Sequence, residues 1–113
     1  MKKNNIIKKN EDYSRMIHSI KPHRYKDYVI YLEWTKEETY HFGFSISKKI
    51  CNAVNRNRIK RQLKSIIDQK DYQNGFNCII MVRRGILEKP YSKMEEELYQ
   101  CFQTLGILKG EKK

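Results

Sequence analysis

Apolar side chains recur along this chain with two clear periods, and each period predicts an element. Tyr13, Met16, Ile17 and Ile20 fall at i, i+3, i+4 and i+7, the spacing that lines one side of an α-helix. Asn10 stands ahead of them as the expected N-cap, Glu11 and Asp12 suit the positive end of the helix dipole, and Pro22 ends the run. Lys26 to Trp34 (KDYVIYLEW) is rich in β-branched and aromatic residues and reads as a strand. Thr35-Lys36-Glu37-Glu38 should turn the chain back. Tyr40 to Ser47 then alternates, with Phe42, Phe44 and Ile46 on one side and His41, Gly43, Ser45 and Ser47 on the other. Ile59, Leu63, Ile66 and Ile67 return to helical spacing, predicting an amphipathic helix from about Asn52 to Gln69. Gly75 closes a loop, and Phe76 to Val82 (FNCIIMV) is apolar enough for a strand covered on both faces. Ser92 and Glu95 suggest a capping box, followed by a stripe of Met94, Leu98, Cys101, Phe102 and Leu105 with Gly106 as C-terminal cap. Residues 1–9 read as a flexible basic arm and 107–113 as a frayed tail. The order helix, strands, helix, strand, helix predicts an α+β fold, a two-layer sandwich with one sheet and helices against it.

Length and composition narrow this picture. The chain has 113 residues, enough for one domain but too few for two independent cores. No apolar run approaches the roughly 20 residues of a membrane helix, and MKKNNIIKKN has no apolar signal core. Three cysteines, Cys51, Cys78 and Cys101, lack CxxC spacing. An odd number without a signal argues against a disulfide framework and for a cytoplasmic protein, with Cys78 and Cys101 as buried thiols.

Charge changes the picture most. Lys plus Arg total 24 against 13 Asp plus Glu, a net of +11. Between Thr39 and Ile67 there is no acid, yet Lys48, Lys49, Arg56, Arg58, Lys60, Arg61 and Lys64 lie there. The rest of the chain carries 17 basic against 13 acidic residues, a net of only +4. At about 100° per residue from Ile59, the apolar Leu63, Ile66 and Ile67 fall between about −20° and +80°. Lys60, Lys64, Asn57, Arg61 and Arg58 fan across about 100° to 260°, the opposite side, with Arg56 near the flank. A rigid row of guanidinium and ammonium donors without compensating acids suits phosphate oxygens. Nucleic acid is therefore the expected partner. A membrane surface is disfavoured, because the helix's narrow apolar side is needed for the core. Groove reading of DNA normally takes a helix-turn-helix, and strands flank this helix. An independent nuclease would need His or paired carboxylates at the basic site. His18, His23 and His41 are scattered instead, and Glu95-Glu96-Glu97 reads as a solvated face. No catalytic or metal-ligating residue is expected.

From Phe42 to Lys64 the chain reads FGFSISKKICNAVNRNRIKRQLK. An aliphatic strand ending Ser-Lys-Lys, then Asn-Ala-Val, then Arg56-Asn57-Arg58 with Lys60 and Arg61, resembles the signature of the bacterial ribonuclease P protein subunit. The similarity extends to Lys8-Lys9-Asn10-Glu11-Asp12-Tyr13, to the strand holding Tyr31 and to the final strand and helix. The resemblance implies a ribosomal-protein-like fold with a left-handed β-α-β crossover, the hand opposite to the general rule. It also implies a single RNA-binding domain over residues 1–113 that pairs with a catalytic RNA to remove the 5′ leader of precursor tRNA. Chemistry and Mg2+ would then belong mainly to the RNA. Lys48, Lys49, Asn52, Arg56, Asn57, Arg58, Lys60, Arg61 and Lys64 would bind the RNA subunit. Lys8, Lys9, Tyr13, Ile17 and Tyr31 would bind the single-stranded leader, by stacking above a positive groove. Ile17 and Ile20 replace an aromatic residue and a Gly of the family pattern, and His41 and Lys64 are further departures. Ile17 predicts weaker leader stacking, and Lys64 loses bidentate geometry. Tyr31 is expected on an open cleft face and Phe44 in the core. A structural or ribosomal-type RNA-binding protein without a processing role would share the charge pattern.

Overall fold

Strand β4 (Phe76–Val82) explains the longest apolar run in the chain: it lies inside the sheet, between β2 (Tyr28–Trp34) and β3 (Tyr40–Ser45). The computed structural model describes residues 2–109. A short edge strand, β1 (His23–Tyr25), completes the sheet in the order β1-β2-β4-β3. β4 runs antiparallel to β2 and parallel to β3. Helices α1 (Asn10–Ser19), α2 (Ala53–Ile67) and α3 (Tyr91–Leu105) complete the α+β architecture, in the chain order expected. The parallel neighbours β3 and β4 are joined through α2, forming a β-α-β unit.

The loop after Trp34 does reverse the chain, but β2 and β3 are not partners. They leave a space that β4 enters later. Gly75 fits this crossing: its N–H donates to Thr39 O and its carbonyl accepts from Thr35 N–H. Its φ is +82°, and a Cβ there would lie 2.8 Å from Thr35 O, so a side chain is excluded twice.

Both faces of the sheet are covered, α1 adding a layer beyond the two of the expected sandwich. Alternate strand positions account for this. Tyr28, Ile30, Phe42, Phe44, Phe76, Cys78, Ile80 and Val82 pack toward α2 and α3. Val29, Tyr31 and Ile79 pack with Met16 of α1 and Ile7. On the first face Phe42 sits edge-on to Tyr72 and Phe76, with ring centroids 5.2 and 5.5 Å away. Aromatic contacts of this kind add to the hydrophobic term.

Several local expectations are corrected. Lys26 and Asp27 form the turn between β1 and β2, with Lys26 at φ 51°, so the strand begins at Tyr28. A three-residue edge strand is too short to show a period. The cap position of α1 is Lys9, not Asn10, and that of α3 is Pro90; neither makes a side-chain cap bond. Ser92 therefore lies within the first turn, and no capping box forms there. Glu97 is not solvated: it is 3 % exposed, and Lys89 bridges it to Asp27 at 2.5 and 2.8 Å. That pairing offsets the cost of burying the carboxylate.

Residues 6–7 and 107–108, expected in an arm and a tail, are instead packed on the fold. Ile6 bridges Phe42 in parallel, Ile7 N–H donates to Phe42 O at 2.9 Å, and Ile7 is buried. An open strand edge carries unpaired polar groups, and the apolar pair Ile6-Ile7 supplies a segment to cover it. Ile107 and Leu108 are also buried, and Leu108 bridges Tyr72. The rest of the expected tail, from 110, lies outside the described residues.

Candidate nucleic-acid interface

The sequence logic of α2 carries directly into its geometry. The Asn52 side chain accepts from Asn55 N–H at 2.9 Å and starts the helix. Ile59, Leu63, Ile66 and Ile67 are buried against the sheet and α3. Asn57, Arg58 and Arg61 are consequently exposed, with Arg56, Lys60 and Lys64 half-buried. Arg56 reaches back to donate to Cys51 O at 3.0 Å, clasping the segment that enters the helix. Lys48 and Lys49 are exposed in the turn between β3 and α2, where Ser47 Oγ accepts from Lys49 N–H at 3.0 Å. The structure thus brings all nine predicted residues onto one helix and the turn leading into it.

Among the described residues, the ion pairs of Lys and Arg are made by Arg15 and Lys89, and none involves Lys48, Lys49, Arg56, Arg58, Lys60, Arg61 or Lys64. Among the described residues these seven cations have no carboxylate partner, so the surface keeps a positive field that attracts anions.

Two more arginines join this end of the molecule. Because β3 and β4 are parallel, their C-terminal ends lie side by side. Arg84, just past β4, donates to Lys49 O at 2.8 Å, and Arg83 and Arg84 are both exposed. Sequence reasoning missed them, because only the strand pairing brings them beside Lys49.

The second predicted cluster divides. On the α1 side, Tyr13 Oη accepts from Phe44 N–H at 3.1 Å and donates to Ile7 O at 3.4 Å. Burial raises its pKa, and the bond from Phe44 partly opposes that. Gly43 lies beneath the ring, where a Cβ would come within 2.6 Å of Tyr13 Oη. A groove of about 420 Å³ runs here, lined by Ile7, Lys8, Asn10, Tyr13, Ile17, Phe44 and Ser45. Lys8, Tyr13 and Ile17 are therefore together. Phe44, a core residue as expected, also reaches the groove wall.

Tyr31 does not reach it. The ring is only 8 % exposed and packs in the layer with Met16, Ile7 and Ile79, so the expected open placement is corrected. Strand alternation put Tyr31 on the proper face, but α1 lies over that face.

Lys9 lines a different concavity, of about 520 Å³, together with Lys3, Lys8, Arg15, Glu33 and His41. A polar chain crosses the sheet there. Arg15 donates to both Glu33 oxygens at 2.7 and 2.8 Å, and Asn77 Nδ2 donates to Glu33 at 2.8 Å. That leaves Asn77 Oδ1 to accept from His41 Nδ1 at 2.9 Å. The Arg15 hydrogen bond holds the Glu33 carboxyl below its usual range, against an opposing effect of burial. Glu33, His41 and Asn77 are polar interruptions at α1-facing strand positions, a signal the sequence carried.

Among the described residues no group of three or more His, Cys, Asp or Glu is placed to hold a metal ion. No helix among them is long and apolar enough to cross a membrane.

Known proteins share both pattern and fold. The family model for Ribonuclease P matches residues 1–106. The Ribonuclease P protein component of Bacillus mycoides (strain KBAB4) is 36% identical over 110 residues, covering 95% of this chain and 96% of its own. That of Bacillus cereus (strain ATCC 10987 / NRS 248) is 34% identical over 110 residues, with the same coverage. A Staphylococcus aureus RNase P protein mutant with defective mRNA degradation activity superposes with a TM-score of 0.82 at 25% identity, over 93% of this chain and 91% of that one. The RNase P protein from Thermotoga maritima gives a TM-score of 0.76 over 84% of this chain and 92% of that one, and at 16% identity speaks for the fold alone.

Proposed function

The chain belongs to the ribonuclease P protein family, and from that premise we propose that it acts as the protein subunit of a ribonucleoprotein that removes the 5′ leader from precursor tRNA. The observation that carries this reading is the row of unpaired cations on the outer side of α2, set apart from the groove at Lys8, Tyr13 and Ile17. Two surfaces of different chemistry suit two different RNAs.

The α2 surface is the one for a structured RNA subunit. Arg58 and Arg61 offer bidentate donors, Lys60 and Lys64 point charges, and Asn57 an amide, all on a rigid scaffold. Lys48, Lys49, Asn52 and Arg56 extend it around the helix start. Each phosphate contact with structured RNA makes affinity more salt-dependent, by about 0.9 in log-log slope on the duplex scale. The groove suits a single strand: Tyr13 and Ile17 offer apolar surface for bases and Lys8 offers charge for phosphates, with Lys9 in the concavity that Lys8 also borders. Tyr31 contributes from beneath, as part of the layer that seats α1. The cleavage step and its Mg2+ ions are assigned to the RNA, and this chain's part is to bind and orient. The cytoplasm is the compartment this role implies, with neither membrane nor DNA as a partner.

Reconstitution tests the reading. Protein alone should leave precursor tRNA uncut at any magnesium concentration, whereas protein with the cognate catalytic RNA at low magnesium should cut at the mature 5′ end. Arg58→Ala should weaken binding to the RNA subunit more than to a leader oligonucleotide, and Tyr13→Ala should do the reverse. Equal effects of both changes on both RNAs would sink the division into two surfaces.

A further inference from the structure

The segment ahead of α1 makes more specific contacts than covering a strand edge requires. Asn5 Nδ2 donates to Thr39 Oγ1 at 2.9 Å and to Tyr40 O at 2.8 Å. Ile7 N–H donates to Phe42 O at 2.9 Å, and its side chain is 7 % exposed within the layer under α1. Ile7 O accepts from Tyr13 Oη. Asn5 and Ile7 thus tie the segment to β3, to the α1-side core and to the groove's aromatic ring. Lys8 follows immediately, and Lys9 is the cap position of α1.

We propose that Asn5 and Ile7 are positioning residues: they strap the N-terminal segment to the edge of β3 and so hold Lys8 in the groove, and Lys9 in the concavity that Lys8 also borders, where a single-stranded RNA leaving the groove meets them. The inference rests on the leader-groove reading above. Lys8 borders both concavities and Lys9 one, so their placement follows from where the strap is pinned. On a free arm the two ammonium groups would have to be ordered at binding, which costs affinity. Pinned, they are preorganised. The strap's hold on the sheet edge is a few hydrogen bonds and one buried side chain, the kind of element that opens without global unfolding. A strand seated against Lys8 and Lys9 favours the docked state, and docking favours the strand, by the reciprocity of linked equilibria.

Full-length protein and a short unstructured oligoribonucleotide, titrated over salt, provide the test. Lys8→Ala/Lys9→Ala should reduce the log-log salt slope by about 1.4, two contacts at about 0.7 each for a single strand. Asn5→Ala changes no charge, yet should reduce the slope by at least about 0.7, one such contact. Ile7→Ser should do the same from the other anchor. Adding Asn5→Ala to the double lysine variant should reduce the slope no further. Binding to the RNA subunit should keep its wild-type slope throughout. An Asn5→Ala or Ile7→Ser slope equal to wild type, alongside a reduced slope for the lysine variant, overturns the strap and leaves the groove reading standing. Reduced affinity for both RNAs in step with a lowered melting temperature also overturns it, since that is what a merely structural contact does. A lysine variant with an unchanged slope removes the groove reading itself, and the strap with it.

Discussion

On α2, the residues that pack and the residues that carry charge are different ones: Ile59, Leu63, Ile66 and Ile67 are buried, while Arg58 and Arg61 face outward. On the α1 side the same residues pack and line the groove. Tyr13 and Ile17 line the groove and also pack against the layer of Met16, Val29, Tyr31 and Ile79. Ile7 is a core residue, a hydrogen-bond acceptor for Tyr13 and a groove wall at once. A surface of the first kind tolerates substitution of its charges without loss of fold. In one of the second kind, binding and local stability move together.

The largest effect should come from removing what both surfaces share. Phe42 is fully buried against Tyr72, Phe76 and Phe102 and bridges the N-terminal segment through its backbone. Phe42→Ala should cost about 3–5 kcal/mol in urea unfolding and lower affinity for both RNAs together. A cost under about 1 kcal/mol would mean that the aromatic cluster is not the centre of the core.

Gly43→Ala separates the two surfaces instead. Its Cβ would overlap Tyr13, pinned between Phe44 and Ile7, so the ring and α1 must shift. Overpacking of this kind costs about 1–3 kcal/mol. Leader-oligonucleotide binding should weaken while RNA-subunit binding stays at the wild-type value; parallel loss of both would show that the two surfaces are not independent. Tyr13→Phe is milder. It keeps the ring but strips Phe44 N–H and Ile7 O of their partner, costing about 1 kcal/mol by thermal melting, again with α2-dependent binding untouched.

The smallest effect is electrostatic. Arg15 holds the Glu33 carboxyl below its usual value, so Glu33 contributes stability that is present above about pH 4.3, the ordinary glutamate value, and fades as pH falls through the depressed one. Arg15 is half exposed, which limits the contribution to under about 1 kcal/mol. Melting curves of wild type and Glu33→Gln should converge as the solution is acidified; a gap that widens instead would mean that Arg15 does not favour the charged form.

Elements with strong local periods are legible in the amino-acid sequence alone. The apolar side of α2, the inward residues of β3, the buried run of β4 and the stripe of α3 all stand where their spacing puts them. So do the candidate RNA-subunit residues, because a helix of known phase separates its packing side from its charged side by geometry alone. The groove is only half legible. Lys8, Tyr13 and Ile17 meet there, but Tyr31 is covered, Lys9 turns to another concavity, and Asn5 carries no signal of its role.

What the chain determined by itself is which side of each element is apolar and where its charges fall, since these depend only on bond geometry over a few residues. Tertiary structure decided what covers each side. The entry of β4 between β2 and β3, the docking of Ile6 and Ile7 on the β3 edge, the burial of Glu97 beside Lys89 and the placing of Arg84 beside Lys49 each join residues far apart in sequence. Such contacts depend on how whole elements fill space together, and no local period records that.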